Sequence, residues 1–276
     1  MDNRTTQLAD GVWLVEVGLF TNALVVANDG HGDREGLTLV DTGRASDGAR
    51  LVRSVRMLGF DPRALRDVLL THWHAAAAGA AARFAASSAA PAVWCAAEEL
   101  AVVRGAVPPP DPAAMAGWPG PLARALAGAG ARQAPVPDAR AFTEHPGAAR
   151  TGPQTHRHAS SPVIPPDIPP DIVALPGVAG GLHLVPAAGH TVGHTAVHLP
   201  ARGVLHAGDA LSTVAGLRAS PRLLSARHEA RPVTLRRLAG LEFAVLSVGH
   251  GPPLLPAAGR RGAAARLRRL AETADR

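Results

Sequence analysis

Residues 68–80 read Val-Leu-Leu-Thr-His-Trp-His-Ala-Ala-Ala-Ala-Gly-Ala. VLLT (68–71) is a short apolar run with the composition of a buried strand, and an alanine-rich helical pattern follows from about Ala77 to Ala86. A strand that feeds directly into a helix belongs to a layered α/β fold. His72 and His74 stand two residues apart where the strand ends. In extended geometry both rings face the same side, as two imidazoles sharing one metal ion must.

Towards the N-terminus, WLVEV (13–17) and ALVVA (23–27) read as paired strands and LTLVD (37–41) as a third. SDGARLVRSVRMLGF (46–60) reads as a helix that stops near Gly59. Beyond the histidines, PAVWC (91–95) reads as a strand and AAEELAVVRG (96–105) as a short helix. In the second half LHLVPA (182–187), TAVHL (195–199) and GVLHA (203–207) are strand-like, PVTLRRLAGLE (232–242) is helical and FAVLSV (243–248) is a strand; an Arg-rich helix closes the chain. Strands come first, strands mixed with helices follow, and the order repeats. The simplest packing is two sheets back to back with helices outside, formed as one domain over residues 1–276.

From about 105 to 171 the texture changes to PPPDP, GWPGP and IPPDIPPDI, dense in proline with little periodicity. This Pro/Ala-rich stretch reads as an insertion, either a lid or an unstructured segment. His156 and His158 in THRH lie within it, without the context of a metal site.

The 276 residues are 47% hydrophobic with a mean hydropathy of +0.08, enough for a full core without disulfides, which excludes disorder throughout. The single cysteine, Cys95, excludes both an internal disulfide and a cysteine zinc cluster, and reads as a small buried hydrophobe. No apolar stretch reaches the roughly 18 residues of a membrane span, and MDNRTTQLADGVW lacks the order of a signal peptide, so a soluble cytoplasmic protein is expected. The net charge is +6, and the pI near 11.2 is inflated by the absence of lysine and tyrosine, which leaves nothing abundant titrating between histidine and arginine. Six arginines (260, 261, 266, 268, 269 and 276) fall in the last 21 residues, with Leu267 and Leu270 on one side of the helical pattern. A solvated helix face, not a nucleic-acid-binding arm, is the expectation.

Four features stand at predicted strand ends: Thr71-His72-Trp73-His74, GHTVGHT (189–195), Ala207-Gly208-Asp209 and Gly249-His250-Gly251-Pro252. His190 offers a third nitrogen and Asp209 a carboxylate. Three imidazoles with an open fourth position form a catalytic zinc arrangement, in which bound water has a pKa of about 7. His145, His183, His198, His206 and His228 lack such context and read as structural.

With these residues in place, LVDTG (39–43), THWH (71–74), GHTVGHT (189–195), AGDAL (207–211) and GHGPPL (249–254) resemble, in order and rough spacing, the motifs of the metallo-β-lactamase-fold hydrolases. The resemblance implies an αββα sandwich with metal bound at one edge between its halves. It implies that Asp41 braces the histidine loop, that His72, His74 and His190 hold a first zinc, and that Asp209 bridges to a second zinc also held by His250.

The chain departs from the family at one place. The family loop reads THxHxDHxGG, and here it reads THWHAAAAGA, with Ala76 at the aspartate position and Ala77 at the next histidine position. A methyl group has no lone pair, so two ligands of the second metal are lost and His250 remains as the remnant of that site. One zinc is expected, with Asp209 as ligand or base and Asp209 and His250 as the catalytic pair. The leading expectation is a metal-dependent hydrolase of an ester, thioester, lactone or similar acyl bond in a small molecule, impaired or mononuclear. The alternative is a catalytically silent member that serves as a binding or regulatory module. Nuclease action is disfavoured by the near-balanced charge outside the last helix, and di-iron oxidoreductase chemistry by the missing carboxylate. Neither a GxSxG elbow nor a GxxxxGK[ST] loop is present, and GAGARQA (128–134) lacks the third glycine of a dinucleotide fingerprint.

Overall fold

The computed structural model describes residues 4–18, 21–28, 36–110, 133–150, 171–256 and 262–274. One sheet has the spatial order β1 (Thr5–Ala9), β2 (Val12–Glu16), β3 (Asn22–Ala27), β4 (Leu37–Val40), β5 (Leu65–Leu69), β6 (Ala92–Cys95), β7 (Arg140–Ala141). Its first four strands form an antiparallel meander, and β4 to β7 run parallel. The other sheet combines β8 (Ala149–Arg150), β9 (Val173–Leu175), β10 (Leu182–Pro186), β11 (Thr195–Leu199), β12 (Val204–His206) and β15 (Val245–Ser247), with β12 and β15 parallel. A small ribbon, β13 (Leu211–Ser212) with β14 (Arg218–Ala219), lies between them in sequence.

The period-2 alternation of the strands divides their side chains among three apolar layers. Leu14, Leu24, Leu69, Leu182, Leu184, Val197, Leu199, Val204 and Val245 meet between the sheets. Their neighbours Val15, Val25, Val68 and Leu70 turn outward on to Leu51 and Val55 of α1 (Gly48–Met57) and on to Phe84. On the opposite side Val185, Ala196, Leu205 and Leu246 meet α5 (Arg231–Ala239) and α6 (Ala263–Thr273). Helix, sheet, sheet, helix is therefore the observed order of layers. Leu267 and Ala271 are buried while Arg268 and Arg269 are exposed, so α6 presents its arginines to solvent.

Three local expectations need correction. The alanine-rich pattern expected as one helix from Ala77 to Ala86 forms two short ones, α2 (Ala75–Ala78) and α3 (Ala81–Ala85). The break follows from competing partners: the Ala80 amide donates to Gly43 O and to Thr42 Oγ1, not along a continuous helix. AAEELAVVRG is a 3₁₀ turn (Ala97–Glu99) leading into α4 (Leu100–Val103). Within the stretch read as an insertion, residues 133–150 carry β7 and β8, one on each sheet, and bury Val136, Ala139, Ala141 and Phe142. That part belongs to the sandwich; its strands are two residues long, too short to leave a period in the sequence. His156 and His158 lie outside the described residues.

Candidate metal centre

Parallel strands end at the same edge of a sheet, and there loops can collect side chains from distant parts of the chain. Asp41 follows β4 and Thr71 to His74 follow its parallel neighbour β5. Asp209 follows β12 and His250 follows the parallel β15. His190 sits in the loop joining β10 to β11, and the Thr195 amide donates to Thr71 O (2.9 Å), joining the two sheets at this edge.

The rings of His72, His74 and His190 pack with centroids 4.6–4.9 Å apart, and one nitrogen of each lies within 4.8 Å of the others. His74 Nδ1 and His190 Nε2 are 2.8 Å apart. Asp209 Oδ2 faces the group, 3.6 Å from His72 Nε2 and 3.5 Å from His190 Nε2, and lies 3.2 Å from His250 Nε2. The expected residues thus converge at one edge.

Hydrogen bonds behind the rings select which nitrogen faces inward. Asp41 accepts from the Thr71 amide (2.8 Å) and from Thr71 Oγ1 (2.7 Å). Having donated its only proton to Asp41, the hydroxyl can only accept from His72 Nδ1, 2.9 Å away, which leaves the His72 lone pair on Nε2. Asp41 does this from a left-handed backbone (φ 59°), a conformation aspartate adopts more readily than most residues. His190 Nδ1 lies 3.0 Å from Ser220 Oγ, so its Nε2 also points inward. Orientation of a ligand ring through its second nitrogen is how metal sites are built.

Burial lowers the pKa of His72 well below the ordinary imidazole value, of His74 to about 3 and of His190 to about 4, with the neighbouring rings adding to the effect. The three are neutral at pH 7, the form that ligates metal. His72 Nε2 is buried with no hydrogen-bond partner, a costly arrangement unless something else takes the lone pair. Three neutral nitrogens and a nearby carboxylate fit one borderline divalent cation of the zinc type.

A sequence profile described as the metallo-beta-lactamase superfamily matches residues 17–250, most of the chain. The chain belongs to the metallo-beta-lactamase superfamily. Similar solved structures include a metallo-beta-lactamase from Erythrobacter litoralis with beta mercaptoethanol in its active site, at 21% identity and TM-score 0.57, covering 99% of this chain and 96% of that one. MIM-1 from Novosphingobium pentaromativorans has 19% identity and TM-score 0.59, covering 99% and 88%. A Cronobacter sakazakii metallo-beta-lactamase with an HARLDQ motif has 17% identity and TM-score 0.55, covering 90% and 81%. These likenesses show the shared fold. No curated protein matched the sequence. Membership of the superfamily supports a metal-dependent hydrolase.

Within this superfamily member, Ala76 is half-buried and Ala77 is 3% exposed; neither carries a donor atom on its side chain. Ala77 contributes through its backbone, its carbonyl accepting from the Thr42 amide and from Thr42 Oγ1 (2.8 Å). Among the described residues, His72, His74 and His190 are the one set of three ligating side chains close enough to share an ion.

Several residues around the centre escaped the sequence reading. His194, quoted within GHTVGHT but given no role, accepts the Asp209 amide on Nε2 (2.9 Å) and so fixes the carboxylate's backbone. A β-carbon at Gly208 (φ +51°) would sit 2.7 Å from that nitrogen, so the turn needs glycine there. Asn22 Nδ2 donates to Val248 O (2.8 Å) and Gly251 O (2.7 Å), clamping the loop that carries His250. His206, read as structural, is fully buried against Ser247 Oγ and lies 3.9 Å from Asp41. Glu99 hydrogen-bonds the loop that carries His72 and His74 and the loop that carries His190. A mid-sequence Asn, Ser or Glu leaves no distinguishing signal; His194 alone had one, in its motif.

Proposed function

We propose that this protein is a hydrolase working with a single zinc ion on an ester, thioester, lactone or similar acyl bond of a small molecule. The observation that carries this reading is the convergence of three neutral imidazole nitrogens beside Asp209, with alanine at both positions that would complete a second ligand set. His72, His74 and His190 would hold the ion, which when bound supplies a Lewis acid and water with a pKa near 7.

The protein's own groups supply the rest. Burial pushes the Asp209 carboxyl up, but His250, with His72 and His190, pulls it well below the usual range, so it is ionised. It faces both the ligand rings and His250, a placement suited to acting as ligand or base. His250 is 34% exposed on its side chain and can exchange a proton at Nε2 with solvent or with a leaving group. Loss of the second ligand set removes positioning and charge stabilisation, so turnover is expected to be low for the superfamily. Near-balanced charge outside the last helix supports a small-molecule substrate over nucleic acid. No described helix is long and apolar enough to cross a membrane.

Metal analysis of protein purified without chelators tests this reading. About one equivalent of zinc, iron or manganese is expected. Less than about a tenth of an equivalent overturns it.

Ala76 and Ala77 also favour a second reading, a silent member acting as a binding or regulatory module. Turnover of acyl substrates by the parent that disappears in His74→Ala rejects it; no turnover across ester, thioester and lactone panels supports it.

A further inference from the structure

Glu99 is 1% exposed and lies in the 3₁₀ turn after β6, which runs parallel to β5 and ends at the same sheet edge. Its Oε2 accepts the Trp73 amide (2.9 Å), while Oε1 accepts Thr191 Oγ1 (2.8 Å) and the Gly193 amide (2.7 Å). All three donors are neutral. Burial raises its pKa, and the three hydrogen bonds oppose the rise. A carboxylate carries enough lone pairs for three donors, which a neutral side chain of its size does not match without turning an N–H towards one of them.

The positions of those donors give the carboxylate its meaning. Trp73 lies between His72 and His74, and Thr191 directly follows His190. We propose that Glu99 is a positioning residue that sets the separation of the His72/His74 loop from the His190 loop, and so tunes the affinity and geometry of the metal site. The inference rests on the metal reading given above. Gly193 supports it independently: a β-carbon there would lie 2.9 Å from both Cγ and Oε1 of Glu99, so the second loop approaches the carboxylate as closely as a bare backbone allows. Glu99 bonds backbone amides and a hydroxyl of the two loops, not the three imidazoles. It acts through the two loops it joins.

Glu99→Gln keeps the volume and places an NH₂ against the Trp73 or the Gly193 amide, so one of the two loops is released. Zinc affinity, measured by competition with a chromophoric chelator, is expected to fall about 10–100-fold, as for other partners that orient ligands. The visible spectrum of the cobalt-loaded protein is expected to change with it. Glu99→Ala should lose more and Thr191→Val, which removes one of three bonds, less. Leu267→Ala, in the remote layer under α6, controls for stability: it lowers the melting temperature and leaves affinity and spectrum as in the parent.

Parent affinity and an unchanged cobalt spectrum in Glu99→Gln overturn the inference. So does an equal loss of affinity in Leu267→Ala, which would make the effect one of general stability. If Glu99→Gln does not fold, Thr191→Val decides by the same spectrum, a change supporting the inference and parent behaviour overturning it. A parent that binds no zinc overturns the metal reading and this inference together; a parent that binds zinc beside an indifferent Glu99→Gln overturns this inference alone.

Discussion

His250 Nε2 lies 3.2 Å from Asp209 Oδ2, where the parallel strands β12 and β15 end side by side. The same oxygen is 3.5 Å from His190 and 3.6 Å from His72. One carboxylate oxygen therefore joins a partly exposed imidazole to the three-histidine cluster. Under the proposed function this separates the residues that would hold an ion from one that would move a proton.

His250→Ala is accordingly expected to keep the parent's metal content while lowering kcat/KM by roughly 10²- to 10⁴-fold, the range for loss of a proton-transfer group. Elemental analysis beside steady-state kinetics on one ester substrate checks this. Release of the metal would instead make His250 a ligand.

His74→Ala removes one of three nitrogens whose mutual spacing is set by the fold. Metal content after gel filtration should drop to near zero, with the circular dichroism of the sheets preserved. Retention of a full equivalent would locate the ion elsewhere.

Thr71→Val deletes the hydroxyl between Asp41 and His72. The His72 Nδ1 proton then has no acceptor in a buried site, at a cost of about 1–3 kcal/mol. Both a lower urea midpoint and a zinc affinity reduced about 10–100-fold are expected. Thr71→Ser, which keeps the hydroxyl, should restore most of the affinity.

The pH dependence of stability follows from the buried rings. Burial lowers His74 to about 3 and His190 and His194 to about 4, against 6.5 for an ordinary imidazole. Below pH 6.5 the unfolded chain takes up protons that the folded chain refuses. The stability is thus fully present above pH 6.5 and is lost as the pH falls towards 4, by an amount on the order of a few kcal/mol per ring. Urea titrations of metal-free protein at pH 7.5, 6, 5 and 4.5 should show a steadily falling midpoint. A flat profile would contradict the burial of neutral histidines.

Ala76→Asp with Ala77→His rebuilds the missing donors. A second equivalent of metal and a rise in turnover are expected, the latter of at least about tenfold given the worth of charge stabilisation in such sites. Because Ala77 is 3% exposed, the larger ring can disturb packing, so Ala76→Asp alone is measured alongside and should gain part of the effect. A double variant that folds and still binds one ion would show that the second site needs more than these two side chains.

Much of the architecture was legible because it is written in local periods. The apolar runs WLVEV, ALVVA and TAVHL read as strands, and they form β2, β3 and β11. His72, His74, His190, Asp209 and His250 stood out because histidine and aspartate at strand ends are chemically conspicuous. The alanine-rich pattern breaks at Gly79–Ala80, where a partner 37 or 38 positions earlier takes the Ala80 amide, a contact no local pattern records.

Residue type and spacing named the candidate ligands and showed that the side chains of Ala76 and Ala77 carry no donor atom, since donor chemistry is a property of each side chain wherever it lies. The supports came from elsewhere. Glu99 reaches Gly193 across 94 positions, His74 meets His190 across 116 and Asn22 holds Gly251 across 229. Such pairings depend on how two sheets stack and on which strands run parallel, outcomes of burying the whole apolar surface at once. A glutamate, an asparagine and a threonine acquire their roles when that packing brings orphaned amides and a ring nitrogen within hydrogen-bonding reach.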